Sequence, residues 1–264
     1  MTNKTLSAAK STFGHAKHIV SFVIILSNFI LLPQLQAATL HVAVASNFIS
    51  PIKQLAQEFE QETGHSLQLS FGSSGKLFAQ IQNNAPYDIF LSADVIKPKA
   101  LIDNKMALSY SLIVYAKGQL TLWSMKPISP LTLPEALLNA KRIAIANPRL
   151  APYGKAAEES LRHLSVWEGI QGKLVQGENI GQAYQFTYSE NANLGLVALS
   201  QVLAGPQKGY SINIPNSFYK GINQAAVILS RTQKTVLAET FMAFLIRADT
   251  QAKIAHFGYS TKKN

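Results

Sequence analysis

Four short segments place hydroxyl, amide and glycine residues where a β-rich run gives way to a helical pattern. They are Ala45-Ser46-Asn47-Phe48, Phe71-Gly72-Ser73-Ser74-Gly75, Asn147-Pro148 through to Tyr153-Gly154, and Gly177-Glu178-Asn179-Ile180. The first N–H groups of a helix have no partner within it, and the macrodipole puts partial positive charge at the same end. Several such ends converging make a site for an anion that needs no lysine or arginine. The Ser46 and Ser74 hydroxyls would add directional donors, and the small residues from Gly72 to Gly75 let the backbone approach a guest closely. One junction alone is accounted for by ordinary N-capping, since Ser and Asn are favoured caps anywhere. Four of them at the carboxyl ends of strands, the edge where open α/β sheets bind ligands, define a candidate site.

Other chemistries fail on spacing. Gly75-Lys76 resembles the end of a phosphate-binding loop, but Ser70 and Leu77 stand where its first glycine and its hydroxyl residue belong. Gly72-Ser73-Ser74-Gly75 is one residue short of a nucleophile elbow. His41, His65, His163 and His256 are too dispersed for a metal site, and surface or packing roles suit them. The adjacent Glu158 and Glu159 point apart on a helix and read as solvated, while Glu178 would orient its loop or favour the helix start electrostatically. Asp88 and Asp94 read as residues fixing turn geometry, and Trp123 and Trp167 as packing.

The elements that must position these junctions alternate between strands and helices. Leu40–Ala45 reads as a strand, followed by a helix face at Ile52, Leu55, Ala56 and Phe59 that Gly64 ends. Leu67–Phe71 and Tyr87–Leu91 are further strands, with a helix between them marked by Leu77 and Ile81. Ser111–Ala116, Arg142–Ala146, Lys173–Val175, Leu194–Ala198, Tyr210–Ile214 and Ala225–Leu229 continue the β pattern. Helices are expected at Ala156–Leu164, at Ala183–Tyr188 and around Val236–Leu245. The βα rhythm predicts an α/β protein whose mostly parallel sheets are covered by helices. No flexible linker separates the halves, so the chain should cross between them more than once. The expected division is residues 39–116 plus 216–264 in lobe I and 117–215 in lobe II.

Composition narrows the setting. Lys4, Lys10 and Lys17 precede an apolar run from Ile19 to Leu32, broken by Pro33 and followed by Ala37 and Ala38. Such an order makes residues 1–38 a secretory signal peptide, and the run falls short of the about 20 residues of a membrane span. The whole chain of 264 residues carries 24 Lys and Arg against 14 Asp and Glu, a net charge of +10. Removing the leader leaves 21 bases against the same 14 acids, scattered without a basic run or an aromatic platform. This pattern favours anions and argues against nucleic acid. Cysteine is absent, which excludes a disulfide scaffold, a thiolate metal site, a cysteine nucleophile and a lipid-modified cysteine at the cleavage point. An exported chain without such an anchor is retained most simply in a Gram-negative periplasm.

Six segments occur in an order that resembles the molybdate-binding proteins of bacterial ABC transporters. They are Val42–Phe48, Ser70–Leu77, Ala85–Asp94, Asn147-Pro148 to Tyr153-Gly154, Gly177–Ile180 and Leu194–Leu199, and together they span nearly the whole exported chain. The resemblance implies a two-lobed periplasmic-binding-protein fold of type II, with one dehydrated oxyanion, molybdate or tungstate, in the cleft between the lobes. It implies ligand contacts from Ser46, Asn47, Ser74, Tyr153 and Ile180. Ser46 and Ser74 would give hydroxyl and backbone donors, and Asn47, Tyr153 and Ile180 backbone N–H groups. These residues meet the metal only through the oxygens of the oxyanion. Some members of the family also use a tyrosine hydroxyl where this chain has Ala198, a missing donor that Asn47 or the Tyr153 phenol would offset. The same resemblance implies a monomer that works with an inner-membrane ABC permease, without catalysis and without a resident cofactor. A receptor for sulfate or phosphate, a sensing module on the same fold and a periplasmic hydrolase are the alternatives.

Overall fold

The computed structural model describes residues 37–128 and 132–261. Except for its last two residues, the expected export leader lies outside the described residues. In chain order the elements are β1 (Thr39–Ala45), α1 (Ile49–Thr63), β2 (Ser66–Gly72), α2 (Ser74–Gln82), β3 (Ile89–Ser92), α3 (Ile96–Asp103), β4 (Ile113–Gly118) and β5 (Leu120–Ser124). There follow α4 (Leu133–Asn139), β6 (Ile143–Ala146), α5 (Pro152–His163), β7 (Leu174–Gly177), α6 (Ile180–Tyr188), β8 (Leu194–Ala198) and α7 (Leu199–Ala204). The chain closes with β9 (Tyr210–Asn213), β10 (Ile222–Ile228), α8 (Thr235–Ile246) and α9 (Ala248–His256).

The strands form two five-stranded sheets with the same plan, ordered β2-β1-β3-β10-β4 and β7-β6-β8-β5-β9. In each, three neighbouring strands are parallel, and the fourth, β10 or β5, runs against both of its neighbours. Four of five strands therefore share a direction and end on the same edge. The chain leaves the first sheet at Gln119, a single residue between β4 and β5, and returns between Asn213 and Ile222.

Alternation along β1 explains how the first sheet is covered. Val42 and Val44 point to one face, where they pack with Ile52, Leu55 and Phe59 of α1 and Phe241 and Leu245 of α8. The Phe59 and Phe241 rings meet edge to face with centroids 5.3 Å apart. Ala43 points to the other face, with Leu77 and Ile81 of α2 and Leu101 of α3. In the second sheet Leu120, Leu122, Ile143, Ile145 and Leu196 pack with Ala156, Ala157 and Leu161 of α5. That cluster also takes in Ala45 and Ala93 from the first sheet's side, so the apolar core runs on beneath the seam between the halves. Among the described residues no helix is long and apolar enough to cross a membrane.

Candidate functional site

Four helical starts converge on the seam, three of them within a few residues of a strand's end and the fourth, that of α5, after the loop 147–151. A single 3-10 turn, Ser46–Phe48, connects β1 to α1. Ser73 caps α2, its Oγ accepting from the Lys76 N–H at 3.3 Å. Pro152 opens α5, where its missing N–H costs nothing. Asn179 caps α6, its Oδ1 accepting from the Gln182 N–H at 3.1 Å. The caps satisfy the third amide of α2 and of α6, and the second amide of α2, on Gly75, donates to the Leu150 carbonyl. Among the described residues the backbone N–H groups of Ser74, Tyr153 and Ile180 find no protein acceptor.

Ser46, Asn47, Ser74, Tyr153 and Ile180 all line one cleft, together with Ala45, Gly72, Ser73, Ala93, Ala151 and Pro152. No side chain in this lining is an acid, a lysine, an arginine or a histidine. The cleft is small, with about 180 Å³ of empty space including its open mouth, which is below the size of sites for extended organic solutes.

The two serines are set differently. Ser74 is buried, and its Oγ accepts the Ala93 N–H at 3.0 Å. Accepting that bond orients the hydroxyl and leaves its proton free to donate. The Ser46 hydroxyl has no protein partner among the described residues and is free both to donate and to turn.

Asn47 and Tyr153 do not offset the missing hydroxyl at Ala198 as expected. The Asn47 amide is turned beneath the cleft, donating to Gln224 Oε1 at 2.8 Å and to the Tyr259 hydroxyl oxygen at 2.9 Å. The Tyr153 phenol points to the crossing between sheets, where a Cβ on Gly118 would collide with its hydroxyl. That hydroxyl is buried without a well-formed hydrogen bond, and burial, with Tyr259 and other tyrosines nearby, pushes its pKa well above the usual value. Both residues therefore face the cleft through their backbone.

Sequence reasoning missed the residues that hold these junctions. Tyr259 and Ser200 each donate to the Asn47 carbonyl, at 2.8 and 3.0 Å. Gln201 spans two junctions, accepting the Ala198 N–H at 3.1 Å and donating to the Ile180 carbonyl at 3.2 Å. Their contacts reach across as many as 212 residues of chain, and no local spacing signals them. Asp94 holds its own turn as expected, whereas Asp88 ties together segments distant in sequence. The Asp88 carboxylate accepts from the His41 N–H at 2.8 Å and the Thr232 hydroxyl at 2.7 Å, and Asp94 accepts the Lys97 N–H at 2.9 Å. Trp123 stacks on Tyr184 with centroids 4.7 Å apart, a packing role. No cluster of three His, Asp or Glu suited to a metal ion occurs among the described residues.

Two α/β sheets joined by two crossings, with a cleft of uncharged donors at the seam, define a solute-binding protein of the type II periplasmic fold. A model of the bacterial extracellular solute-binding protein family matches residues 40–260, and the chain belongs to that family. It is 42% identical over 229 residues to the molybdate-binding protein ModA of Azotobacter vinelandii, covering 85% of this chain and 90% of that one. It is 39% identical over 221 residues to the protein of the same name from Rhodobacter capsulatus, covering 83% and 87%. The solved structure of the Azotobacter vinelandii periplasmic molybdate-binding protein superposes with a TM-score of 0.81 at 38% identity, over 85% of this chain and all of that one.

Proposed function

We propose that this protein captures molybdate, or tungstate as its near equivalent, in the periplasm. It then delivers the ion, as a monomer, to an inner-membrane ABC permease. One observation carries the reading: residues from four separate helical starts line a cleft without a single cationic or anionic side chain. A dehydrated dianion is stabilised there by oriented N–H and O–H dipoles, which need no reorganisation when it binds. Similarity to molybdate-binding proteins at 42% and 39% identity supports the choice of ion. The oxyanion is cargo, and the site calls for no resident cofactor. Export rests on the leader pattern of residues 1–38 and on the family.

Selectivity follows from size. Sulfate shares the charge and shape of molybdate but is smaller, so donors set for the larger ion leave gaps. Each poorly made bond to a charged guest costs about 1.5–3 kcal/mol, and two or three such bonds suffice for a preference on the order of a thousand-fold or more. Calorimetric titration with molybdate, tungstate, sulfate and phosphate tests the reading. Tight, saturable heats are expected for the first two and weak ones for the others. Equal binding of sulfate would overturn the assignment of the ion in favour of a general tetrahedral oxyanion receptor.

A further inference from the structure

Two of the contacts that join the halves across the seam beside the cleft fall on residues with no part in its lining. The Gly75 N–H, second in α2, donates to the Leu150 carbonyl at 2.8 Å, linking the first sheet's side to the loop before α5. A Cβ built on Gly75 would lie 2.7 Å from that oxygen and 3.0 Å from the Leu150 Cα. Both are backbone atoms, so no side-chain rotation relieves the collision. On the next residue, Lys76 Nζ sits 3.0 Å and 3.1 Å from the two Glu178 carboxylate oxygens. Glu178 is itself held, its N–H donating to Gln182 Oε1 at 2.8 Å.

These residues sit beside the candidate contacts. Gly75 follows Ser74 directly, Lys76 is two residues beyond it, and Glu178 is two residues before Ile180. Movement that parts Gly75 from Leu150, or Lys76 from Glu178, also parts Ser74 from Tyr153 and Ile180. Nothing local requires glycine at position 75. It stands inside the first turn of a helix, where alanine is the better helix former, and its φ is not among the positive values of the chain.

We infer that Gly75 is the position that permits the halves to close over the guest, and that the Lys76–Glu178 ion pair is the clasp that holds them closed. This rests on the reading of the cleft as an oxyanion site with donors on both sides. Gly75→Ala leaves every donor of the first half in place but holds Leu150, and with it the Tyr153 side, away. The clasp is half exposed, with side-chain exposures of 50% and 36%, so its effect is modest and screened by salt. A ligand held only in the closed state is bound in proportion to how much of that state is available.

The test is molybdate titration combined with small-angle scattering, on the parent chain, Gly75→Ala, Lys76→Gln and the exchanged pair Lys76→Glu/Glu178→Lys. Gly75→Ala should lose more than tenfold in affinity, fail to compact with molybdate, and melt no lower than the parent without ligand. Lys76→Gln should bind several-fold more weakly through faster release, and the exchanged pair should recover most of that loss. Gly75→Ala with the parent's affinity and compaction overturns the inference. If the parent binds no oxyanion, the proposed function fails, and closure is then read from ligand-free scattering. A parent no more compact than Gly75→Ala again overturns the inference, and a more compact parent upholds it.

Discussion

Tyr259 and Asn47 hold each other reciprocally: the tyrosine hydroxyl donates to the Asn47 carbonyl at 2.8 Å, and the Asn47 side-chain amide donates back to the same hydroxyl at 2.9 Å. The pair ties the segment after α9 to the first strand–helix junction, and Ser200 Oγ, 3.1 Å from the same hydroxyl, brings in α7 of the other half. Asn47 thereby directs its polar side chain and carbonyl away from the guest, which leaves N–H and O–H groups to face an anion. Removing the hydroxyl with Tyr259→Phe deprives a buried amide of one acceptor and a buried carbonyl of one donor. A loss of about 1–3 kcal/mol of stability is expected, with oxyanion affinity weakened several-fold as the Ser46–Asn47 turn loosens. Chemical denaturation and calorimetry on the same variant would check both, and unchanged stability would show the pair to be incidental.

The same tyrosine sets an alkaline limit. Burial pushes the Tyr259 hydroxyl up to about 12, and burial also raises Tyr115 and Tyr153 well above their usual range. In the unfolded chain these groups ionise near pH 10. Their contribution is therefore complete below about pH 10 and is lost as pH rises from there through the folded value. The melting temperature should be level near neutrality and fall steeply above pH 10. Tyr259→Phe, less stable at pH 8, should show the shallower decline.

Ser46→Ala and Ser74→Ala should each weaken molybdate binding by more than tenfold, since each removes a donor to a charged guest. They should differ in stability. Ser74 Oγ also accepts the buried Ala93 N–H at 3.0 Å, so its loss costs about 1 kcal/mol or more. The Ser46 hydroxyl has no such partner among the described residues, and Ser46→Ala should melt with the parent when ligand is absent. Parent-like affinity in both variants would remove the hydroxyls from the site.

How legible this arrangement was in the chain depended on the distance over which each feature is determined. Junctions such as Ala45-Ser46-Asn47 and Ser73-Ser74-Gly75 could be read because a strand pattern, a cap and a helix pattern are adjacent in sequence. The helix from Ile52 to Phe59 and the strand at Leu40–Ala45 could be read for the same reason. Strand β5 was missed because Leu120-Thr-Leu-Trp-Ser124 is buried at every position and lies one residue beyond β4, so neither alternation nor a turn marks it off. Short α3, with an exposed Ile96 and a proline within it, shows almost no apolar face. Orientation within the site was the other gap. The turning of Asn47 and Tyr153 beneath the cleft is decided by Gln224, Tyr259 and Gly118, which only the fold brings near.

Asp88 should govern tolerance of acid. Burial works to raise its pKa, but the bonds from the His41 N–H and the Thr232 hydroxyl, with Lys234 3.3 Å away, outweigh it and hold the carboxyl below its ordinary value. A carboxylate depressed in this way stabilises the fold fully above the unfolded pKa near 3.9, and the contribution is lost as pH falls through the lower folded value. Asp88→Asn should therefore cost stability at pH 7, and the difference from the parent should shrink as pH falls below about 4. A difference that stays constant from pH 7 to pH 3 would assign the loss to packing alone.

Ala198, where the resemblance implies a tyrosine hydroxyl in some members of the family, can be tested by substitution. The residue is fully buried at the end of β8, paired with Leu120, in the same core cluster as Tyr153, Tyr219 and Ile180. Tyrosine at this position would have to find a ring's volume among groups already packed, and overfilling a core of this kind costs about 1–3 kcal/mol. Its backbone N–H is also engaged, by Gln201, which in turn holds the Ile180 carbonyl, so a displaced β8 end would disturb a contact-bearing junction. Ala198→Tyr should accordingly lower both stability and molybdate affinity, whereas Ala198→Ser, smaller and able to bond locally, should leave affinity within about twofold, a change worth less than RT. Tighter binding by Ala198→Tyr would mean that the cleft lacks a hydroxyl it can use, and that the donors from the four helical starts are not by themselves a complete shell.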